Sequence, residues 1–174
     1  GNAASTSQSN NTASLTEKIL PTITNVTSTT SDGSYKQGET IAITVVFSEA
    51  VNVDESGGTP TLTLNNTSGT NPAVDYSSGT GSNTLTFNYT IGSGETSSDL
   101  DYESTSSLAL NSGTIKDAAL NAATLTLATP GDPNSLGHNK ALIVDTSVPT
   151  LVSAVTRDNN LDGTVDRLVL TFSE

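Results

Sequence analysis

The chain has no cysteine, no methionine and no tryptophan, and it carries a single histidine. Without thiols it can build neither a disulfide framework nor a thiolate zinc site, and it offers no thiol nucleophile. One histidine leaves little for a catalytic triad or a histidine-rich metal centre. Basic residues are scarce too: 6 Lys and Arg stand against 18 Asp and Glu, a net charge of −12. A surface of that sign repels phosphate, so nucleic acid is not an expected partner. No apolar run approaches the ~20 residues of a membrane-spanning helix, so membrane insertion is not expected either. Hydrophobic residues make up only 33% of the chain, and 24 Ser and 30 Thr fill the difference. Over 174 residues this composition describes one domain with room for part of another. It points to a soluble β protein that is secreted or displayed on a cell surface.

What is present is alternation. Ile41, Ile43, Val45 and Phe47 recur every second residue, as do Leu85, Phe87, Tyr89 and Ile91. Period two over seven or eight residues marks a half-buried strand, and the Thr residues between them suit its solvent face. This predicts Tyr89 to point inward. Weaker strands are expected at 61–64, 73–76, 108–110, 123–127 and 141–145, with an opening strand at 23–27. Turn signals separate them at Ser31-Asp32-Gly33, Ser56-Gly57-Gly58, Ser78-Gly79-Thr80-Gly81, Gly92-Ser93-Gly94 and Pro130-Gly131-Asp132-Pro133. No segment has sustained helical periodicity. The expectation is all-β: an antiparallel β-sandwich over 21–147. Residues 1–20 are read as a flexible tail or linker, because their Ser/Thr/Asn-rich run buries too little to offset its ordering entropy.

The chain also repeats itself. Pro21-Thr22-Ile23 returns as Pro149-Thr150-Leu151, 128 residues later, and Phe47-Ser48-Glu49 returns as Phe172-Ser173-Glu174, 125 residues later. An acid stands four residues before each proline, Glu17 and Asp145. Residues 148–174 are therefore read as the first two strands of a following unit. Two strands bury too little to be stable alone, so this piece should fray, dock, or pair with another molecule through its exposed edges.

With these residues in view, the chain resembles the tandem bacterial Ig-like (cadherin-like) repeats of large secreted or surface adhesins. The resemblance runs from about 21 to 174. It is carried by Asp32-Gly33-Ser34-Tyr35-Lys36-Gln37-Gly38-Glu39-Thr40-Ile41, Phe47-Ser48-Glu49-Ala50-Val51, Ser98-Asp99-Leu100-Asp101-Tyr102, Gly113-Thr114-Ile115-Lys116-Asp117 and Leu136-Gly137-His138-Asn139-Lys140. It implies an Ig-like sandwich, extracellular display, and calcium at repeat junctions. It implies no ligand, because most such repeats are spacers and binding is delegated to other domains.

Three groups of residues could carry chemistry. The first is Asp158-Asn159-Asn160-Leu161-Asp162-Gly163-Thr164-Val165-Asp166. Asp158, Asn160, Asp162 and Asp166 place oxygens at positions 1, 3, 5 and 9, Thr164 stands at position 7, and Gly163 permits the sharp turn of a calcium loop. Position 12 is Val169, where an EF-hand has a bidentate Glu, and the flanks read as strands. The expectation is a calcium loop within a β-hairpin; the rival reading is a metal-free Asx-rich turn. The second group is Asp32, Asp99, Asp101 and Asp145. Sandwich topology sends their loops to one pole, where four carboxylates would repel unless a cation or water separated them. Calcium is expected there, with solvated loop carboxylates as the alternative. The third is Glu49, Asp54 and Glu55 at the opposite pole, with Glu17 in the linker.

Catalysis is not expected. His138 lies in a polar loop, the serines lack a G-x-S-x-G setting, and Gly92-Ser93-Gly94 lacks the rest of a phosphate loop. The function that follows is a calcium-stiffened spacer whose partners are the neighbouring repeats. The alternatives are a module that binds a cell-surface glycan or protein, and a filament subunit that self-assembles by strand donation.

Overall fold

The computed structural model describes residues 19–66 and 71–174. Most of the expected tail, 1–18, lies outside the described residues, and Glu17 with it. The chain forms β1 (Ile23–Ser28), β2 (Gly33–Tyr35), β3 (Thr40–Asp54), β4 (Thr61–Asn65), β5 (Ala73–Ser78), β6 (Ser82–Thr90), β7 (Asp101–Tyr102), β8 (Leu108–Ala109) and β9 (Thr114–Lys116). One helical turn, α1 (Leu136–Asn139), then precedes β10 (Leu142–Val144), β11 (Leu151–Arg157) and β12 (Arg167–Phe172). The fold is the expected all-β sandwich.

Its centre is the pair β3–β6. The two alternating runs face each other in register, Val45 opposite Leu85, Ile43 opposite Phe87 and Ile41 opposite Tyr89, and none of these six is more than 2% exposed. A one-residue slip would turn all of them to solvent, so burial fixes the register. The sheet continues as β1-β3-β6-β5-β4-β7, with β8 on β4 and β9 on β3. It curls because β3 breaks its ladder between Val46 and Val51. The early part of β3 pairs with β1 and β6, and its last three residues pair with β9. Tyr76 meets Phe87 edge-on at 6.1 Å, and Leu62, Leu64, Leu100 and Tyr102 complete the core.

Three local readings change. Gly33, expected in a turn, opens β2, which pairs in parallel with β10. That pair is a small sheet of its own, beside ladders that are antiparallel, with one more parallel contact in the isolated bridge of Thr22 and Thr124. Residues 123–127 alternate in burial as expected but form no ladder, because their N–H groups bond to separate segments: Ala123 to the Ile115 carbonyl and Thr124 to that of Pro21. The Asp99–Asp101 loop holds strand β7, which is too short to show a period.

The last two strands are a hairpin that, among the described residues, pairs only with itself. Its geometry duplicates that of β1 and β3. Leu151 lies opposite Phe172 and the register then shifts by one residue; Ile23 lies opposite Phe47 and the register shifts at the same place. Ser173 N donates to the Thr150 carbonyl at 3.0 Å, as Ser48 N does to that of Thr22 at 2.8 Å. Thr150 N donates back to Ser173 Oγ at 3.0 Å, as Thr22 N does to Ser48 Oγ at 3.1 Å. The burial is opposite. Val45 and Phe47 are sealed in the core, whereas their counterparts Leu170 and Phe172 are 47% and 50% exposed.

Candidate functional site

The 158–166 loop closes the β11–β12 hairpin, and its side chains turn inward onto its own backbone. Asp158 accepts from Leu161 N at 2.6 Å and Gly163 N at 2.9 Å. Asp162 accepts from Thr164 N at 2.8 Å, from the Thr164 hydroxyl and from Asn160 Nδ2. Asp166 accepts from Asn159 N at 2.7 Å. Gly163 has φ +86° and Leu161 φ +61°, and only the glycine takes the left-handed region without cost. The hydroxyl and N–H of Thr164, then Asn160, hold the Asp162 carboxyl below the usual carboxylate range. The loop thus gathers three carboxylates and an amide within one turn of chain. All are hard oxygens of the kind calcium takes, and each aspartate is already engaged with loop N–H groups.

The second group divides. Asp32 and Asp99 line one groove together with Ser98, His138, Lys140 and Ile143. Asp32 is ion-paired with Lys140 at 2.9 Å and accepts from Ala141 N at 3.2 Å. The Lys140 contact first, then that N–H, lowers its pKa. Lys140 therefore supplies the cation expected of a metal at Asp32. Asp99 stays exposed; loss of water around it, and then the charge of Asp101, raise its pKa. Asp101 is 7% exposed and accepts from Tyr102 N at 2.8 Å and Gly131 N at 2.9 Å. Its carboxylate ties the 131 turn to β7, and a Cβ at Gly137 would come within 3.0 Å of it. Asp145 lies in the adjacent groove, with Ser97, Ser98, Ser147 and Glu174, and accepts from Ser147 N at 2.9 Å.

At the other pole Asp54 accepts from Ser56 N at 2.9 Å, and that bond holds its carboxyl below the usual range. One carboxylate oxygen of Glu49 is buried and, among the described residues, has no hydrogen-bond partner. Among the described residues no three acidic or histidine side chains form a group set to hold a metal ion. His138 is exposed on α1, beside Asp99 in the groove.

Sequence reasoning missed Lys140 as the partner of Asp32, because the two are far apart in the chain. It also missed Glu174 in the groove of Asp145, although the repeat makes Glu174 the counterpart of Glu49. Of the seven aromatic residues, Phe47, Tyr76, Phe87, Tyr89 and Tyr102 are in the core; Tyr89 points inward as expected, its hydroxyl donating to Glu95 at 2.6 Å. Only Tyr35 and Phe172 reach solvent, so no aromatic platform of the kind that stacks on sugar rings is assembled. Among the described residues no helix is long and apolar enough to cross a membrane. Compared with family models, curated proteins and solved structures, the chain matches none of them.

Proposed function

We propose that this chain is a structural spacer, one unit and the beginning of the next, from the extracellular part of a large bacterial surface adhesin. The observation that carries the reading is the duplicated hairpin. The same register, the same bulge and the same pair of Thr–Ser hydrogen bonds occur twice, about one sandwich apart. A strand pair repeated at that distance is what a linear array of like units requires. Its partners are then the neighbouring units, and it performs no catalysis.

Calcium fits this reading at the 158–166 loop, whose Asp158, Asn160, Asp162, Thr164 and Asp166 are all oxygen donors. It also fits the pole of Glu49, where a buried carboxylate oxygen lacks a partner. Asp145 and Glu174, lining one groove between the last strand of the unit and the following hairpin, are the natural junction ligands. Asp32 fits less well, since Lys140 neutralises it. A bound calcium would supply positive charge beside these carboxylates and hold those loops in one arrangement.

The test is calorimetric titration with calcium chloride, alongside amide exchange over 145–174. At about 1 mM calcium, a typical affinity for extracellular modules, the titration should show a saturable heat of either sign and exchange in the loop should slow. No heat and unchanged exchange would remove calcium from the reading. Tight capture of a purified glycan by the sandwich alone would replace the spacer with a binding module.

A further inference from the structure

From the directions of the first and last strands of the sandwich we infer that the unit is built to resist stretching, and that the short parallel pair β2–β10 is the clamp that carries the tension. This rests on the spacer reading, which places each unit in line with a pull on a longer chain, and it names the part of the unit that holds.

The directions follow from the pairing. Thr22, just before β1, sits beside Ser48, whose N–H bonds to its carbonyl at 2.8 Å. β1 then runs toward the end of the sandwich where β3 begins, with Ser28 opposite Ile43 and Thr29 N donating to the Ala42 carbonyl. β2 keeps that direction, since the carbonyl of Lys36, which follows it, receives the N–H of Glu39 just before β3. β10 is parallel to β2, so it ends at the same pole. The chain therefore enters the sandwich at one end and leaves it at the other. Tension draws β1 and β2 back along their own axes and draws β10 forward along its own. Strands displaced in this way shear. The bonds between them lie across the pull and must fail together, whereas strands parted from one end lose them one by one.

The pair is fastened beyond its own three residues. Gly33 N donates to the Ala141 carbonyl at 3.0 Å, and Asp145 N to that of Tyr35 at 2.9 Å. At the start of both strands Asp32 holds the Lys140 ammonium at 2.9 Å and accepts from Ala141 N at 3.2 Å. The other edge of β10 is tied to the 97–100 segment: Leu100 N donates to the Leu142 carbonyl, and Ser97 and Val144 exchange N–H and carbonyl, all at 2.8 Å. Leu142 and Val144 are buried in the core. β10 cannot slide without breaking bonds on both edges at once.

Because the chain has no cysteine, two introduced thiols define the axis of pull. In calcium-free buffer, single molecules of the full chain are stretched at constant force between Ile19→Cys and Ser147→Cys, the shearing axis. A second set is stretched between Gln37→Cys and Ser147→Cys, which follow the paired ends Tyr35 and Val144 and so peel β10 from β2. All three positions are exposed, so the handles leave the core as it is. At one force the unfolding rate should be about tenfold lower on the first axis, the effect of roughly one more hydrogen bond broken in the limiting step. Asp145→Pro removes the N–H that Tyr35 accepts, and it follows a residue that is already extended, as proline requires. It should raise the first rate about fivefold, and the second, where this bond breaks first and alone, by less than about twofold. Equal rates on the two axes overturn the clamp, and that comparison needs no change inside the fold. So does an equal acceleration of both axes by Asp145→Pro, which places the tension elsewhere. Calcium titration and glycan capture test the spacer reading separately, so the clamp can fail while that reading stands.

Discussion

Asp101 and Asp99 are two residues apart and have opposite energetics. Both oxygens of Asp101 are held by backbone N–H groups in a buried site. Removing such an acceptor leaves donors stranded, so Asp101→Ala should cost about 2–3 kcal/mol in chemical unfolding. Asp99 bears its charge beside that one, and its raised pKa means that ionisation opposes folding. A folded pKa above the unfolded one gives stability that is full below the unfolded value and lost as pH rises through the folded value. At neutral pH Asp99→Asn should therefore raise the melting temperature, by about 1–2 °C given its exposure. In calcium the same change should lower the melting temperature if Asp99 is a ligand, so the pair of melts separates the two roles. Asp32 has the reverse sign. Its pKa is depressed by Lys140, so the contribution exists above the unfolded value and is lost as pH falls through the folded one. Asp32→Asn should then weaken the fold at pH 7, and the difference from the parent chain should shrink as pH falls through the lowered folded value.

At the scale of strands, Phe47 and Phe172 occupy equivalent places in equivalent hairpins, yet one is 1% and the other 50% exposed. Phe47→Ala should cost about 3–5 kcal/mol through the cavity it leaves. Phe172→Ala should change the main transition by less than about 0.5 kcal/mol, as read by parallel urea melts. Residue pattern alone could not separate them, because alternation tells which side of a strand is apolar and not whether anything covers it. The same limit decides what was legible elsewhere. Strands β3 and β6 were readable because long alternating runs encode a buried face. β2, β7 and β9 span only two or three residues, too few for alternation to repeat, and are held by partners distant in the chain. The 158–166 loop was legible because its oxygens are local in sequence. The ion pair of Asp32 with Lys140 was not, since it depends on β2 and β10 lying side by side. Asp101 was read as a loop ligand because an aspartate in a sequence does not reveal that Gly131 N and Tyr102 N will surround it.

For the whole molecule, β11 and β12 pair only with each other among the described residues, which predicts that stability is divided. Ligand binding stabilises only what unfolds with the site. A calcium ion held by Asp158, Asp162 and Asp166 would therefore leave the melting of the sandwich where it is and act on the hairpin, whose amides exchange by local opening. Calcium bound at Asp145 or Glu49 would instead raise the main transition, because those residues belong to elements that unfold with the core. Hydrogen exchange and thermal melting thus report different sites. The expected outcome is that calcium slows exchange across 151–172 and that Asp162→Ala abolishes this slowing without moving the main melting temperature. If Asp162→Ala instead cancels a calcium-dependent rise of the main transition, the hairpin is docked on the sandwich and the two unfold as one body. Three carboxylates within nine residues, on a chain of net charge −12, also make the effect depend on ionic strength. Raising salt from low levels to about 1 M shortens the screening length to about 3 Å. Salt should then substitute for part of the calcium effect if the ion merely relieves repulsion, and for none of it if the loop oxygens coordinate it directly.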